Sequence, residues 1–185
     1  MRFKIFITIL SLTLSSLTYA QKFSVSTNLL DCIALGTLNA DVSYAFSRHW
    51  SVMAGARYNP FTFNAGDPER QFQIRQQSYS AGVRLWPWHI WSGWWFASKL
   101  RYQEYNAGGL LKSETREGDR FGLGLYSGYT YMLSSHINIE FGLGFWGGCD
   151  IYKVYNCPRC GLTIDEGKKA FILPDDLMVG LVYVF

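Results

Sequence analysis

The sequence lacks the features that mark several large classes of protein. After residue 20 no stretch approaches the roughly 20 consecutive apolar residues that a membrane-spanning helix needs. The chain carries 17 Lys and Arg against 14 Asp and Glu, which gives no basic surplus to suggest a nucleic-acid partner. It has no linker or low-complexity segment, and 185 residues leave room for one domain of ordinary size. The composition therefore argues against a helical membrane protein and against a nucleic-acid-binding protein.

The first twenty residues have the pattern of an export signal. Arg2 and Lys4 give a positive start, a short apolar run follows, and small residues precede a cleavage site after Ala20. An uncleaved anchor is the alternative, but the apolar run is too short to span a membrane comfortably. We therefore expect residues 1–20 to be a cleaved signal peptide and residues 21–185 to form the mature domain.

What the chain does contain is typical of β-structure. Aromatic residues make up 17% of the sequence, there are 18 glycines, and apolar and polar residues alternate with a period of two from end to end. In residues 137–145, for example, one face reads Ile, Ile, Phe, Leu, Phe and the other Asn, Glu, Gly, Gly. Counting such segments predicts eight strands, over residues 22–30, 38–46, 50–63, 70–86, 94–105, 119–133, 137–155 and 171–185.

The connections between these segments alternate in length. The short ones are residues 47–49, 87–93 and 134–136, and the longer, mostly polar ones are 31–37, 64–69, 106–118 and 156–170. Even-stranded outer-membrane barrels have short periplasmic turns and longer outer loops. The pattern therefore predicts an all-β fold, an eight-stranded antiparallel up-and-down transmembrane β-barrel, with the longer loops outside the cell. Loop 106–118 also holds a mixed charge run, Lys112, Glu114, Arg116 and Glu117, to which a partner would have access.

The polar face of the predicted strands favours a membrane barrel over a soluble one. This face carries charges interleaved with Gly and Ser, and we expect them to pair inside a narrow lumen: Asp41, Arg57, Arg84, Lys99, Arg101 and Glu140. The alternative is an ordinary solvated face, which would not need so many glycines. Cations outnumber carboxylates in this set, so if the lumen conducts, it would favour anions.

Aromatic residues are placed as in a barrel with two interfacial girdles. Six of the seven tryptophans lie at or beside the short turns: Trp50, Trp86, Trp88, Trp91, Trp94 and Trp95. Tyr58, Phe61, Phe63, Tyr105 and Tyr155 fall toward the other end, where a second girdle is expected. The chain ends on Phe185, after Val179, Leu181 and Tyr183 on one face. This ending resembles the terminal strand that the barrel-assembly machinery reads in outer-membrane proteins.

Three patches resemble a Bacteroidota-type outer-membrane family catalogued as a domain of unknown function, DUF3575. They are Asn28-Leu29-Leu30 followed by Gly36-Thr37-Leu38-Asn39, then Arg84-Leu85-Trp86-Pro87, and finally Cys157-Pro158-Arg159-Cys160-Gly161 with Gly167-Lys168-Lys169. A looser likeness is to the OmpA-type eight-stranded barrel, without the peptidoglycan-binding domain that some such barrels carry. The resemblance implies a fold and an outer-membrane location, but it assigns no chemistry to any residue.

The four cysteines all fall at the predicted outer end of the barrel. Cys157 and Cys160 form a Cys-Pro-Arg-Cys-Gly turn, as in a zinc knuckle, and Cys32 and Cys149 would complete a four-thiolate zinc site if the first and last loops meet. Two disulfides in an oxidising compartment are the favoured interpretation, and a redox pair is a third. No other cofactor is expected.

The histidines argue against a known enzymatic role. Small barrels that modify lipid A use a His with a Ser and a carboxylate near the outer leaflet, whereas His49, His89 and His136 fall at the predicted periplasmic turns. We expect a non-enzymatic outer-membrane barrel, embedded in outer-membrane lipid, with a structural role or a surface protein partner bound through its loops. A lipid-modifying enzyme and a narrow channel are the alternatives.

Overall fold

The fold is taken from a computed structural model, which describes residues 21–33, 36–63, 72–108, 114–156 and 162–185. The predicted signal peptide, residues 1–20, lies outside these ranges and stays a prediction. The outer loop predicted at 64–69 also lies outside these ranges and stays a prediction.

Eight strands form one closed antiparallel barrel, which confirms the predicted fold class. Neighbours in the chain pair with each other throughout, and β1 pairs with β8 from Ser24 opposite Val184 to Asn28 opposite Gly180. A two-residue segment, Thr62–Phe63, continues β3 and also pairs with β4. The strands are β1 (Phe23–Asn28), β2 (Leu38–Ala45), β3 (Trp50–Asn59), β4 (Phe72–Leu85), β5 (Gly93–Gly108), β6 (Thr115–Met132), β7 (Ile137–Tyr155) and β8 (Thr163–Val184).

A short helix, α1 (Leu29–Ile33), follows β1 where the predicted first strand continued to residue 30. The strand stops at Asn28, whose side-chain Oδ1 accepts a hydrogen bond from the backbone N–H of Leu30 at 3.2 Å. Such local bonds from Asn to nearby backbone compete with strand pairing. Among the residues that the structure describes, no helix is long and apolar enough to cross a membrane.

The strands grow longer around the barrel, from 6 residues in β1 to 22 in β8. Because the short turns bring the strands together at one end, the lower end, the extra length makes the wall of β5 to β8 rise on the opposite, upper side. The predicted outer loops at 106–118 and 156–170 were therefore too long. β6 already begins at Thr115 and β8 at Thr163, so much of each predicted loop belongs to a strand.

The side chains are arranged inside out relative to a soluble protein. Within the described part of the chain, 17 buried residues are polar or charged and 11 are apolar, and large apolar side chains are exposed all around the barrel. A soluble domain normally buries its apolar side chains and keeps exposed apolar patches small. The polar face of the strands therefore lines the lumen, and the apolar face is the outer surface.

The apolar outer surface forms a belt that ends at charged residues. On β5 its members lie between Trp94 and Tyr102, and the next outward position is Glu104. On β6 the belt runs from Tyr131 up to Phe121, and the next outward position is Asp119. These nine- and eleven-residue segments match the approximately 9–11 residues with which a tilted strand crosses a bilayer.

The lower end of the barrel is closed by tryptophan, where an outer girdle was predicted. Trp86, Trp91 and Trp95 are 1%, 3% and 2% exposed and lie inside the barrel, so the prediction of a six-tryptophan girdle was wrong for these three. Trp50, Trp88 and Trp94, in contrast, are exposed.

Backbone geometry explains how one of these tryptophans reaches the interior. Trp91 adopts a φ of 64°, a left-handed conformation that is rare outside glycine, and the β4–β5 turn thereby directs its indole inward. The ring packs edge-on against Trp86 at 5.6 Å, and Nε1 donates to the backbone oxygen of Gln21 at 2.7 Å.

Inward-facing glycines make room for large rings in the lumen. A Cβ at Gly128 would lie 2.3 Å from a ring atom of Trp95, and one at Gly142 would lie 2.8 Å from it. A Cβ at Gly144 would lie 2.1 Å from the ring of Tyr126. Since carbon atoms do not approach so closely, larger residues at these positions would displace the rings.

Candidate functional site

The lowest polar layer of the lumen is a buried ion pair above the tryptophans. Arg84 Nη1 and Glu140 Oε1 are 2.5 Å apart, and their side chains are 5% and 2% exposed. The Arg84 guanidinium also lies over the rings of Trp86 and Trp95, at 5.3 and 4.2 Å from the centroids. The pair, held between aromatic rings, seals the barrel just above its lower end.

The middle layer is organised around Asp175, a residue that did not stand out in the sequence. Its carboxylate pairs with Arg101, lies 3.7 Å from Arg57 Nη1, and accepts a hydrogen bond from the Tyr126 hydroxyl at 2.9 Å. Arg57 also reaches Asp31 of α1 at 3.3 Å. The helix is thereby tied to the lumen by charge.

Together these two layers form a charge-balanced network. Its four cations are Arg57, Arg84, Lys99 and Arg101, and its four carboxylates are Asp31, Asp41, Glu140 and Asp175. Asp31 and Asp175 balance the charge at this level, and neither was among the six lumen charges predicted from the sequence. The free space among Asp41, Arg57, Lys99, Arg101 and Tyr126 is about 10 Å³, which holds about one water molecule. The lumen is therefore filled at this level.

A third, upper layer surrounds Asp150, whose side chain is fully buried. Arg116 Nη2 and Arg120 Nε each lie 3.5 Å from Asp150 Oδ2, and Lys169 Nζ lies 3.9 Å from it. The Tyr105 hydroxyl donates to Oδ1 at 2.8 Å. We call Asp150, Arg116, Arg120 and Lys169 the upper cluster; it combines three cations with one carboxylate.

Tyrosines support the upper cluster from the sides. The guanidinium of Arg120 lies 3.9 Å from the ring centroid of Tyr105, and that of Arg116 lies 3.9 Å from that of Tyr152. Burial raises the pKa of Tyr105, and the hydrogen bond to Asp150 raises it further. Tyr105 thus stays a protonated donor at neutral pH. Its inward orientation also corrects the prediction that placed it in the outer girdle.

A cavity of about 820 Å³ lies along the upper ends of β3 to β8. Its lining on inward positions is polar and aromatic, with Gln76, Tyr105 and Tyr152 among its members. The charged residues of the same strand ends, such as Glu104 and Asp119, alternate to the outer face. The described residues on this wall include no His, Ser or Cys. The arrangement provides a polar surface, and it offers no nucleophile with a neighbouring general base.

The cysteines are only partly described. Cys32 in α1 and Cys149 on the outer face of β7 are both exposed free thiols, so they are not joined to each other. Cys157 and Cys160 lie outside the described residues. Within the described ranges no group of three or more His, Cys, Asp or Glu side chains could hold a metal ion. The zinc and disulfide interpretations that involve the Cys157–Cys160 turn stay predictions.

The three histidines lie at the lower turns, at the opposite end from the cavity. His49 follows β2, with Nδ1 2.9 Å from the backbone oxygen of Trp86; His89 lies between β4 and β5, and His136 between β6 and β7. The upper end of the described structure therefore has no imidazole to act as a general base.

All six predicted lumen charges lie on inward-facing strand positions, and the structure shows which partners were missed. Asp175 was missed because a bulge between Asp175 and Met178 sets two residues of β8, 176 and 177, against Leu143 of β7. The extra residue reverses the alternation and turns Asp175 inward. Arg116 and Lys169 had been assigned to loops, although both lie on strands.

Fold and site together define a class: a closed eight-stranded β-barrel with an apolar exterior and a filled, charge-paired lumen. The chain matches the family described as "Protein of unknown function (DUF3575)" over residues 5–185. It therefore belongs to that family, as the three sequence patches predicted. No curated protein and no solved structure matches it.

Proposed function

We propose that this protein is an outer-membrane β-barrel that performs no enzymatic reaction and that acts through the part of its sheet above the apolar belt. The observation that carries the proposal is the belt, nine residues tall on β5 and eleven on β6, around a buried polar lumen. In water such a surface would aggregate, whereas in a bilayer it is the favourable one.

The barrel seam supports the same proposal. β1 and β8 close the sheet, and the backbone N–H of Phe185 donates to the oxygen of Phe23 at 2.8 Å. Where β1 and β8 pair, from Asn28 opposite Gly180 to Ser24 opposite Val184, the sheet leaves no unpaired strand edge toward lipid. The export signal predicted for residues 1–20 and the aromatic ending read by the barrel-assembly machinery agree with this location.

The upper sheet is the part best suited to bind a partner. Above the belt, outward positions include the charged residues Glu104, Asp119 and Lys153. From Thr163 to Met178, β8 pairs with β7 and not with β1. One edge of β8 therefore has backbone groups outside the barrel ladder, and such edges accept added strands. A surface role fits this geometry better than a purely structural one.

A channel is disfavoured by the filled lumen. The tryptophans close the lower end of the barrel. The free space in the middle polar layer is about 10 Å³, which is far less than a water-filled pore requires. The alternative of a lipid-modifying enzyme gains no support from the upper end, because the histidines lie at the lower turns. An unchanged lipid A mass spectrum after gene deletion would remove that alternative.

Cysteine accessibility tests the membrane assignment directly. In a variant whose four native cysteines are replaced by Ser, single cysteines are placed on the belt, at Leu100 or Leu123, and above it, at Lys153. In intact outer membranes a membrane-impermeant maleimide should label Lys153→Cys and leave both belt positions unlabelled. All three side chains are exposed in the isolated barrel, so equal labelling of all three would contradict the proposal. Detergent-solubilised protein provides the control, since there the difference should shrink.

A further inference from the structure

The upper cluster differs from the rest of the lumen in its charge. The lower network balances four cations with four carboxylates, whereas the upper cluster sets Arg116, Arg120 and Lys169 against Asp150 alone. The neighbouring acids on β6, Glu117 and Asp119, alternate to the outer face. The described lumen therefore carries its positive excess at one level.

Acidic groups toward the rim do not cancel that excess. Asp165, the nearest inward acid on β8, is exposed and accepts a hydrogen bond from the Tyr152 hydroxyl at 3.3 Å. Asp150 itself is shared among three cations, and its Oδ1 is already occupied by Tyr105. The cluster is thus left with about two positive charges in a space walled by Tyr105, Tyr152 and Phe171.

The hydrogen-bond donors of the cluster are not satisfied by the protein. The three cations approach the same oxygen, Asp150 Oδ2, at 3.5 to 3.9 Å, too far for a good hydrogen bond. The buried Nε groups of Arg116 and Arg120 have no hydrogen-bond partner among the described residues, and neither has Oδ2. Buried donors are normally paired, and unpaired ones mark strain or a binding function.

Access to the cluster comes from the upper end. Exposure falls along the cluster from Lys169 at 45% to Arg116 at 32%, Arg120 at 20% and Asp150 at 0%. An anion that enters the mouth meets Lys169 and Arg116 first and Arg120 last. Two guanidinium groups with an ammonium group are the donor set that proteins use for tetrahedral oxyanions such as phosphate monoesters.

We propose that the upper cluster is an oxyanion-binding site for a phosphate group, in which Arg116, Arg120 and Lys169 bind the anion in competition with the carboxylate of Asp150. The phosphate belongs either to a small soluble molecule or to a lipid headgroup that reaches over the rim. The inference does not depend on the membrane location, and its failure would leave the belt assignment unaffected.

Calorimetric titration of the folded full-length barrel in an uncharged detergent tests the site, with inorganic phosphate as the probe. We expect saturable one-to-one binding. Arg120→Gln or Lys169→Gln should weaken it about tenfold, because a charge-assisted hydrogen bond is lost. Asp150→Asn should strengthen it by a similar factor, since the competing carboxylate charge is removed.

Lys153→Gln is the matched control. Lys153 is a lysine of the same upper sheet, 57% exposed and paired with Glu166 at 4.0 Å, and its loss should leave phosphate affinity unchanged. Absence of saturable binding in the wild type would overturn the proposal, as would equal effects of Lys153→Gln and Lys169→Gln. Weaker binding in a folded Asp150→Asn variant would do so too. If that variant does not fold, the comparison of Lys169→Gln with Lys153→Gln still tests the proposal. Both lysine side chains are exposed, so neither substitution should prevent folding.

Competition separates the two sources of the phosphate group. A sugar phosphate and micelles containing phosphatidic acid are each added to the phosphate-loaded protein. Displacement by the sugar phosphate alone identifies a soluble ligand, and displacement by the phosphatidic acid alone identifies a headgroup; both results support the site. If neither displaces phosphate, the cluster does not recognise phosphate monoesters and the proposal fails.

Discussion

Replacing Glu140 with Gln should destabilise the barrel strongly. Gln keeps the shape of the side chain and removes its charge, which leaves the guanidinium of Arg84 without its ionic partner at 2.5 Å. Both side chains are almost completely buried, so water cannot replace the lost carboxylate. Removing one member of a buried ion pair costs about 3–5 kcal/mol. The rings of Trp86 and Trp95 offset part of this cost, since they stabilise the cation through its contacts with their faces.

The double variant Arg84→Met/Glu140→Met separates the lost pair from general damage to the packing. Replacing a buried ion pair by apolar side chains of similar volume is often neutral or stabilising. We therefore expect the double variant to be more stable than Glu140→Gln. Glu166→Gln is the control for charge alone, because the Lys153–Glu166 pair is exposed and such pairs contribute roughly 0–1 kcal/mol.

Urea unfolding in phospholipid vesicles measures these free energies, with tryptophan fluorescence as the signal. Trp86 and Trp95 flank the pair, so their emission reports its environment directly. A Glu140→Gln variant within about 0.5 kcal/mol of the wild type, the range of an ordinary surface substitution, would refute the reasoning. It would mean that no charged pair closes the lower lumen.

Three further predictions concern the packing and protonation of the lumen. Gly144→Ala should cost about 1–3 kcal/mol in the same unfolding assay, because the new Cβ meets the ring of Tyr126; an unchanged stability would contradict the inward placement of that ring. Trp91→Ala should cost about 3–5 kcal/mol by emptying the lower plug, whereas Trp88→Ala, at an exposed site of the same turn, should cost little. Burial, together with the hydrogen bond to Asp150, raises the pKa of Tyr105. The protonated phenol that donates this bond therefore persists in the folded barrel above the ordinary phenol pKa of about 10, and the bond is lost only as pH rises through the folded value. In an ultraviolet alkaline titration Asp150→Asn should therefore lower the pKa of a buried tyrosine, and an identical titration curve would count against this bond.

The sequence was most informative inside the apolar belt. There, one face of each strand is the apolar outer surface and the other faces the lumen, so apolar and polar residues alternate regularly. For this reason β2, β3 and β7 were predicted to within a few residues. Above the belt charged residues stand on both faces of the sheet, so the alternation is weaker. Gly167-Lys168-Lys169 thus resembles a loop, although backbone hydrogen bonds to β7 continue through it as a strand.

The candidate sites, too, were predicted only where the sequence carries a local pattern. The six predicted lumen charges lie on inward positions, but their partners depend on features without a local sequence signal. Asp175 faces inward because of a bulge, and Asp31 reaches Arg57 from the short helix α1, where a strand had been predicted as far as residue 30. The orientation of the tryptophan side chains also could not be predicted from the sequence. Whether an indole beside a turn points outward or inward depends on turn geometry, such as the left-handed backbone of Trp91.

The most direct test of the central claim is the electrophoretic mobility of the protein from outer-membrane extracts, boiled against unboiled, in the electrophoresis detergent. A closed transmembrane barrel keeps its hydrogen-bonded sheet in that detergent until it is heated. We predict a band in the outer-membrane fraction that changes mobility on boiling. A band found in the soluble fraction, with the same mobility before and after boiling, would contradict it.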